Sequence, residues 1–323
     1  MKIAYLCDRK YYLHKMSRVR FHSIKAISEF SNVFWGGPNW DNWDSNEPVD
    51  KNLAKNNFKP DLIIGYKPLE IKGFADSQFK KCVRYNEMYD KKWTAKEINE
   101  SKADIIVCHH QNDFGDWSDK IGLEIKIDKN VKLINIPHCA EHTVFKDYKL
   151  EKTIDILLVG AINVTTKLGV HYPLRHKMVE VLMSMSGDYN TRIFQHPGYD
   201  LSDAHTDKYA IEFAKAMNSS KICVTCSGEP KSRFGKYVEI PMCRSAIAAD
   251  IPDETQAFFR KFVIEINLKD TNDAIVTKLK EYLDNENKLK QVTDRGFSLS
   301  QKFNQQFYAS IFIEKIRKIL NIK

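Results

Sequence analysis

The chain contains no apolar run approaching the ~20 residues that cross a bilayer as a helix, no internal repeat and no low-complexity tract. Its seven cysteines are odd in number and widely scattered, which excludes a disulfide framework as the source of its stability. Cys223 and Cys226 form a CxxC, but they lie in an apolar strand pattern with no second pair. Buried structural thiols are expected there rather than a zinc site, which needs four ligands. A secretory leader is also missing from the N-terminal stretch: Met1–Cys7 is a short apolar run broken at once by Asp8, Arg9 and Lys10, so a first strand and a cytoplasmic location are expected. No recognised nucleic-acid module or basic helix is present. The net charge of +8 fits an anionic ligand, a membrane surface or nucleic acid and does not choose among them; with no such module, no nucleic-acid partner is expected, and peripheral membrane contact stays open.

At 323 residues, 43% hydrophobic and 28% charged, the chain is of a size and composition to bury a substantial core in two medium domains. Short β-type runs alternate with amphipathic helical stretches from end to end. Strands are read at Lys2–Cys7, Asn32–Trp35, Asp61–Gly65, Lys81–Tyr85, Asp104–Cys108 and Val131–Ile136, with a helix over Val19–Phe30. The polar stretch Pro137–Lys152 reads as a linker, after which the pattern restarts with DILLVG (Asp155–Gly160). Further strands are read at Thr191–Gln195, Lys221–Ser227, Ser245–Asp250 and Phe262–Ile266, and helices at Leu174–Met185, Asp207–Met217, Ala274–Asn285 and Phe303–Leu320. Near-continuous apolar strands alternating with helices predict parallel sheets covered on both faces. The expected architecture is α/β, two doubly wound Rossmann-like domains facing a cleft. The expected divisions are 1–150, 151–300, and a terminal helix at 301–323 that packs back toward the first domain. Ligands of such sheets bind outside the carboxyl ends of the strands, which draws attention to Asp8, Gly160, His196, Ser227 and Asp250.

The richest stretch is SGEPKSRFGKYVEIPMCRSAIAAD, Ser227–Asp250. A basic loop with Lys231, Arg233 and Lys236, next to Tyr237, precedes the carboxylate Glu239. Cations shortly before a lone carboxylate suit a nucleotide diphosphate: the cations neutralise phosphate, and the carboxylate accepts hydrogen bonds from ribose hydroxyls.

Four stretches in order resemble glycosyltransferases of the GT-B fold, in particular the retaining group 1 (family four) enzymes and their CgeB-like relatives. They are IPHCAEHTVFKDY (Ile136–Tyr148), DILLVGAIN with YPLRHKMVEVL (Asp155–Asn163 and Tyr172–Leu182), RFGKYVEIPMCRSAIAAD (Arg233–Asp250), and LKEYLDNENKLKQVTDRG (Leu279–Gly296). Together they span about half the chain. The resemblance implies transfer of a hexosyl or deoxyhexosyl unit from a nucleotide diphosphate sugar, GDP- or UDP-linked, to a glycan or other hydroxyl acceptor, with retention. It implies that Glu239 binds ribose and that Arg233 and Lys236 stabilise the leaving diphosphate. Gly160, Arg175, His196, Ser227 and Tyr237 complete the nucleotide-sugar site. The pattern departs at Lys231, eight positions before Glu239, where the family carries a second glutamate, and at Arg244, where it carries glycine. No Asp-x-Asp occurs, so no metal or other cofactor is expected. On the acceptor side Glu87 and Asp90 follow the fourth strand, and His109 and His110 the fifth. Glu87, His109 and Lys231 form the candidate catalytic set. The loop Trp40–Trp43 is a candidate stacking platform for a sugar ring. A sugar-nucleotide epimerase of the same fold, a basic nucleic-acid-binding protein and a non-catalytic scaffold are the competing readings.

Overall fold

The computed structural model describes residues 1–12, 18–85, 91–110, 130–162, 164–166, 169–195 and 206–322. The chain forms two compact units. One holds Arg18–Pro137 with the N-terminal strand and the helix Gln305–Leu320; the other holds His138–Asn304.

The first unit is built on six strands: β1 (Lys2–Leu6), β2 (Asn32–Gly36), β3 (Leu62–Gly65), β4 (Lys80–Arg84), β5 (Ile105–Cys108) and β6 (Lys132–Asn135). They form one sheet in the order β2-β1-β3-β4-β5-β6, parallel throughout. Runs such as LIIG and IIVC are buried at every residue, because helices cover both faces. The alternation of the pleat divides β1 between two cores. Ile3, Tyr5 and Cys7 face one with Ile24 and Ile27, whereas Ala4 and Leu6 face the other with Leu53 and Phe74. The helix Gln305–Leu320 joins the first of these cores through Ala309, Phe312, Ile313 and Ile316. Their i, i+3, i+4, i+7 spacing makes one apolar stripe.

The second unit carries β7 (Ile154–Leu158), β8 (Thr191–Ile193), β9 (Ser220–Val224), β10 (Ala246–Ala249) and β11 (Val263–Glu265), ordered β8-β7-β9-β10-β11 and again parallel. In both sheets the strand order reverses beside the first strand, between β1 and β3 and between β7 and β9. Such a reversal opens a crevice at the carboxyl ends.

Residues 138–150, read from sequence as the end of the first domain, group with the second unit. Phe145 is buried edge-on against Phe213, centroids 6.4 Å apart. Leu150 N–H donates to Asn218 Oδ1 at 3.1 Å. Lys152 Nζ donates to the carbonyls of Asn218, Ser220 and Arg244 at 2.6, 3.0 and 2.7 Å. The polar composition of this stretch serves to cap strand and helix ends of the second unit.

Several strands end two or three residues earlier than the apolar runs suggest, at Leu158, Ile193 and Val224. The helices Val49–Lys55, Lys91–Ser101 and Glu286–Ser300 were not read individually from sequence. The last is polar on most of its length. Asn285 caps it through Lys288 N–H at 2.9 Å, and Gly296 lets it approach the core: a Cβ there would meet Phe262 at 3.1 Å and Pro241 at 3.2 Å. Among the described residues no helix is long and apolar enough to cross a membrane.

Candidate functional site

The carboxyl ends of β7, β9 and β10 gather a cluster of buried polar groups. Asp250, the first residue after AIAA of β10, is their hub and is 3% exposed. Its carboxylate accepts Ser227 N–H at 2.8 Å and Ser227 Oγ–H at 2.5 Å. It also pairs with Lys231 Nζ at 2.7 Å. Tyr237 Oη donates to the Asp250 carbonyl at 2.6 Å. Burial pushes the Tyr237 phenol well above its ordinary value, and the neighbouring Asp250 charge adds to this. Three sequence candidates, Ser227, Lys231 and Tyr237, thus converge on a carboxylate noted in the sequence only for its position after a strand. Lys231 stands at φ 53°, a left-handed turn that brings its ammonium back to Asp250; half of its side chain remains in solvent.

Arg175 occupies the reversal point itself. It extends from the helix Pro173–Met185, which follows β7 after a short antiparallel strand pair, Thr165–Thr166 with Gly169–Val170. Its Nη1 donates to Ala161 O at 3.2 Å and its Nη2 to Cys226 O at 3.5 Å, bridging the chain beyond β7 to the chain beyond β9. The guanidinium stacks on Tyr172 at 4.0 Å, and Nε has no hydrogen-bond partner among the described residues. Gly160 is required here: it has φ 98°, and a Cβ would lie 2.5 Å from Arg175 Nη1. His171, 3% exposed, meets Tyr172 edge-on, ring centroids 4.2 Å apart. Burial, with the Arg175 charge second, lowers its pKa to about 4, so the imidazole is neutral.

Glu239 lies in the short helix Lys236–Met242 and is 2% exposed. Its Oε2 pairs with Lys236 Nζ at 2.7 Å, and its Oε1 fills the space left by the absent side chain of Gly235, 2.9 Å from where a Cβ would be. Residues assigned from sequence to phosphate and to ribose therefore hold each other. Arg233, also buried, donates to His138 O at 3.5 Å and lies over the Phe303 ring at 4.8 Å.

In the first unit His109 follows β5 and is 2% exposed. Its Nδ1 lies 2.7 Å from Ile136 O and its Nε2 lies 3.3 Å from Arg84 Nη2. A carbonyl only accepts and a guanidinium only donates, so the ring is the neutral Nδ1–H tautomer with both nitrogens engaged. This geometry orients Arg84 and leaves neither nitrogen to take a proton from an acceptor. The Trp40–Trp43 loop is packed inward. Trp40 meets Tyr12 edge-on at 5.1 Å, and Trp43 packs against the Phe34 core. Glu87, Asp90 and His196 lie outside the described residues. Sequence reasoning missed the centrality of Asp250 and the parts played by His171, Tyr172 and Gly235. The signal for Asp250 was an acid closing the small-residue strand AIAA. The aromatic pair preceding Pro173 was the signal for the Arg175 stack. Among the described residues no group of three His, Cys, Asp or Glu is arranged to hold a metal ion.

No protein-family model and no curated protein matches the sequence. Solved structures match over its whole length. Sucrose-phosphate synthase from Thermosynechococcus elongatus aligns at TM-score 0.64 and 11% identity, covering 100% of both chains. Anabaena HepE, solved with UDP and glucose, aligns at TM-score 0.62 and 10% identity, covering 98% of this chain and 100% of that one. A putative UDP-N-acetylglucosamine 2-epimerase from Listeria monocytogenes aligns at TM-score 0.55 and 10% identity, covering 100% and 97%. The chain has the GT-B fold.

Proposed function

We propose that this protein is a glycosyltransferase that binds a nucleotide diphosphate sugar at the carboxyl ends of β7, β9 and β10 and uses a hydroxyl acceptor, a glycan or similar compound, bound by the first unit. The observation that carries the reading is Arg175 at the strand-order reversal of the second sheet, bridging the ends of β7 and β9 beside Gly160. A buried guanidinium at that crevice supplies a fixed positive field where a diphosphate would develop charge as the glycosidic C–O bond breaks. Lys231, half in solvent, can exchange Asp250 for phosphate. In the same reading Glu239 exchanges Lys236 for ribose hydroxyls, so ligand entry releases the ammonium toward the diphosphate. Retention, independence of metal and a UDP- or GDP-linked donor belong to this proposal. UDP is favoured by the neighbour HepE, which was solved with UDP and glucose.

The test is thermal unfolding with GDP, UDP, ADP, CMP and dTDP, each with and without EDTA. A ligand at a hundred times its dissociation constant adds about 2.7 kcal/mol of stability. One diphosphate is expected to raise Tm with EDTA present, and the shift should vanish in Glu239→Ala. No shift with any nucleotide would sink the reading. The epimerase-like neighbour motivates one second reading, epimerisation of the sugar nucleotide. Incubating the donor without acceptor separates the two: an altered sugar on an intact nucleotide means epimerase, whereas acceptor-dependent release of nucleoside diphosphate means transferase.

A further inference from the structure

The first unit contains a small cavity remote in sequence from every nucleotide candidate. It measures about 20 Å³ and lies between the sheet, the helix Val19–Ser28 and the last helix, Gln305–Leu320. Tyr5 and Val107 form part of its sheet side, Ser23 and Arg84 contribute polar atoms, and Gln305 and Phe312 close it. That volume accommodates one particle the size of a water molecule.

Arg84 is 6% exposed and Tyr5 is wholly buried. The guanidinium donates Nη1 to Ser23 Oγ at 2.8 Å and Nη2 to His109 Nε2 at 3.3 Å, while Nε has no partner among the described residues. Neither does the Tyr5 hydroxyl. Arg84 is close enough to oppose the upward pull of burial on the Tyr5 phenol. His109 accepts from Arg84 as a neutral ring and so brings no counter-charge. The result is a full positive charge in an apolar core with no anion paired to it among the described residues, an arrangement that is costly unless the charge is compensated.

We propose that this cavity is a binding site for one monovalent anion of halide size. Arg84 Nε–H and the Tyr5 hydroxyl are its donors, and the Ser23 hydroxyl, which accepts from Arg84, has its own proton to give. A donor set around a buried guanidinium matches an anion better than it matches water, whose own hydrogens need acceptors. Because the last helix forms one wall, the bound anion ties that helix to the sheet.

The proposal is tested on the full chain by thermal unfolding at constant ionic strength while sodium gluconate is exchanged for sodium chloride or bromide. The expected result is a saturable Tm rise of roughly 2–4 °C, with hydrogen exchange slowed in Gln305–Leu320. The rise should be abolished in Arg84→Met and weakened in Tyr5→Phe. A general salt effect would act equally on both variants and would overturn the proposal. Should Arg84→Met fail to fold, Tyr5→Phe and crystals grown in bromide decide. An anomalous peak between Arg84 Nε and Tyr5 Oη supports the site, and a peak-free cavity holding water overturns it.

Discussion

Asp250 concentrates more of the second unit's polar bonding than any neighbour described around it. Replacing it with alanine leaves the buried Ser227 N–H and hydroxyl without their acceptor and deprives the half-solvated Lys231 of its partner. Asp250→Ala is expected to cost about 2–4 kcal/mol in urea unfolding. Lys231→Met should cost less than about 1 kcal/mol, because half of that lysine is solvated and its pair is screened. His171 provides a pH signature. Its folded pKa of about 4 lies below the ordinary 6.5, so the unfolded chain takes the proton first as pH falls. The stability it contributes is present above pH 6.5 and is lost as pH drops toward 4. Chemical denaturation at pH 7, 5.5 and 4.5 should show that decline, and His171→Gln should flatten it.

Among the elements, the turn after β7 and the segment 138–150 have defined tasks. Gly160 combines a positive φ with the Arg175 guanidinium lying where a Cβ would be. Gly160→Ala is therefore expected to cost about 1–3 kcal/mol and to displace Arg175, and diphosphate binding should fall more than stability alone explains. Calorimetry of binding beside thermal unfolding reads the two separately. The segment 138–150 is anchored by Phe145 against Phe213. Phe145→Ala should cost about 3–5 kcal/mol and raise hydrogen exchange in Lys208–Asn218, the helix that carries Phe213. Sequence periodicity located nearly every strand, since buried parallel strands are runs of β-branched residues. It did not mark the short helix Val49–Lys55 or the polar helix Glu286–Ser300, whose stability comes from caps and tertiary contacts rather than a broad apolar stripe.

At the scale of the whole molecule, the last helix returns to the core of the unit in which the chain begins. Ending the chain at Asn304 would uncover Ile24, Ile27 and Ile136. The first unit is then expected to lose its cooperative transition while the second keeps its own, which calorimetry of the truncated and full chains would show as one transition lost and one retained. The order of apolar runs, the basic loop Lys231–Lys236 and the carboxylates Glu239 and Asp250 were all legible in the sequence by itself, because burial and charge are written in residue type. That determined two parallel sheets of α/β class. Which charge meets which group was decided only by the tertiary structure. Lys236 turns to Glu239 and Lys231 to Asp250; His109 is locked between Ile136 and Arg84, and the tryptophan loop packs inward. Those pairings depend on positive-φ turns and on the level at which neighbouring strands end. Both are set by contacts between residues far apart in the chain, which no local pattern records.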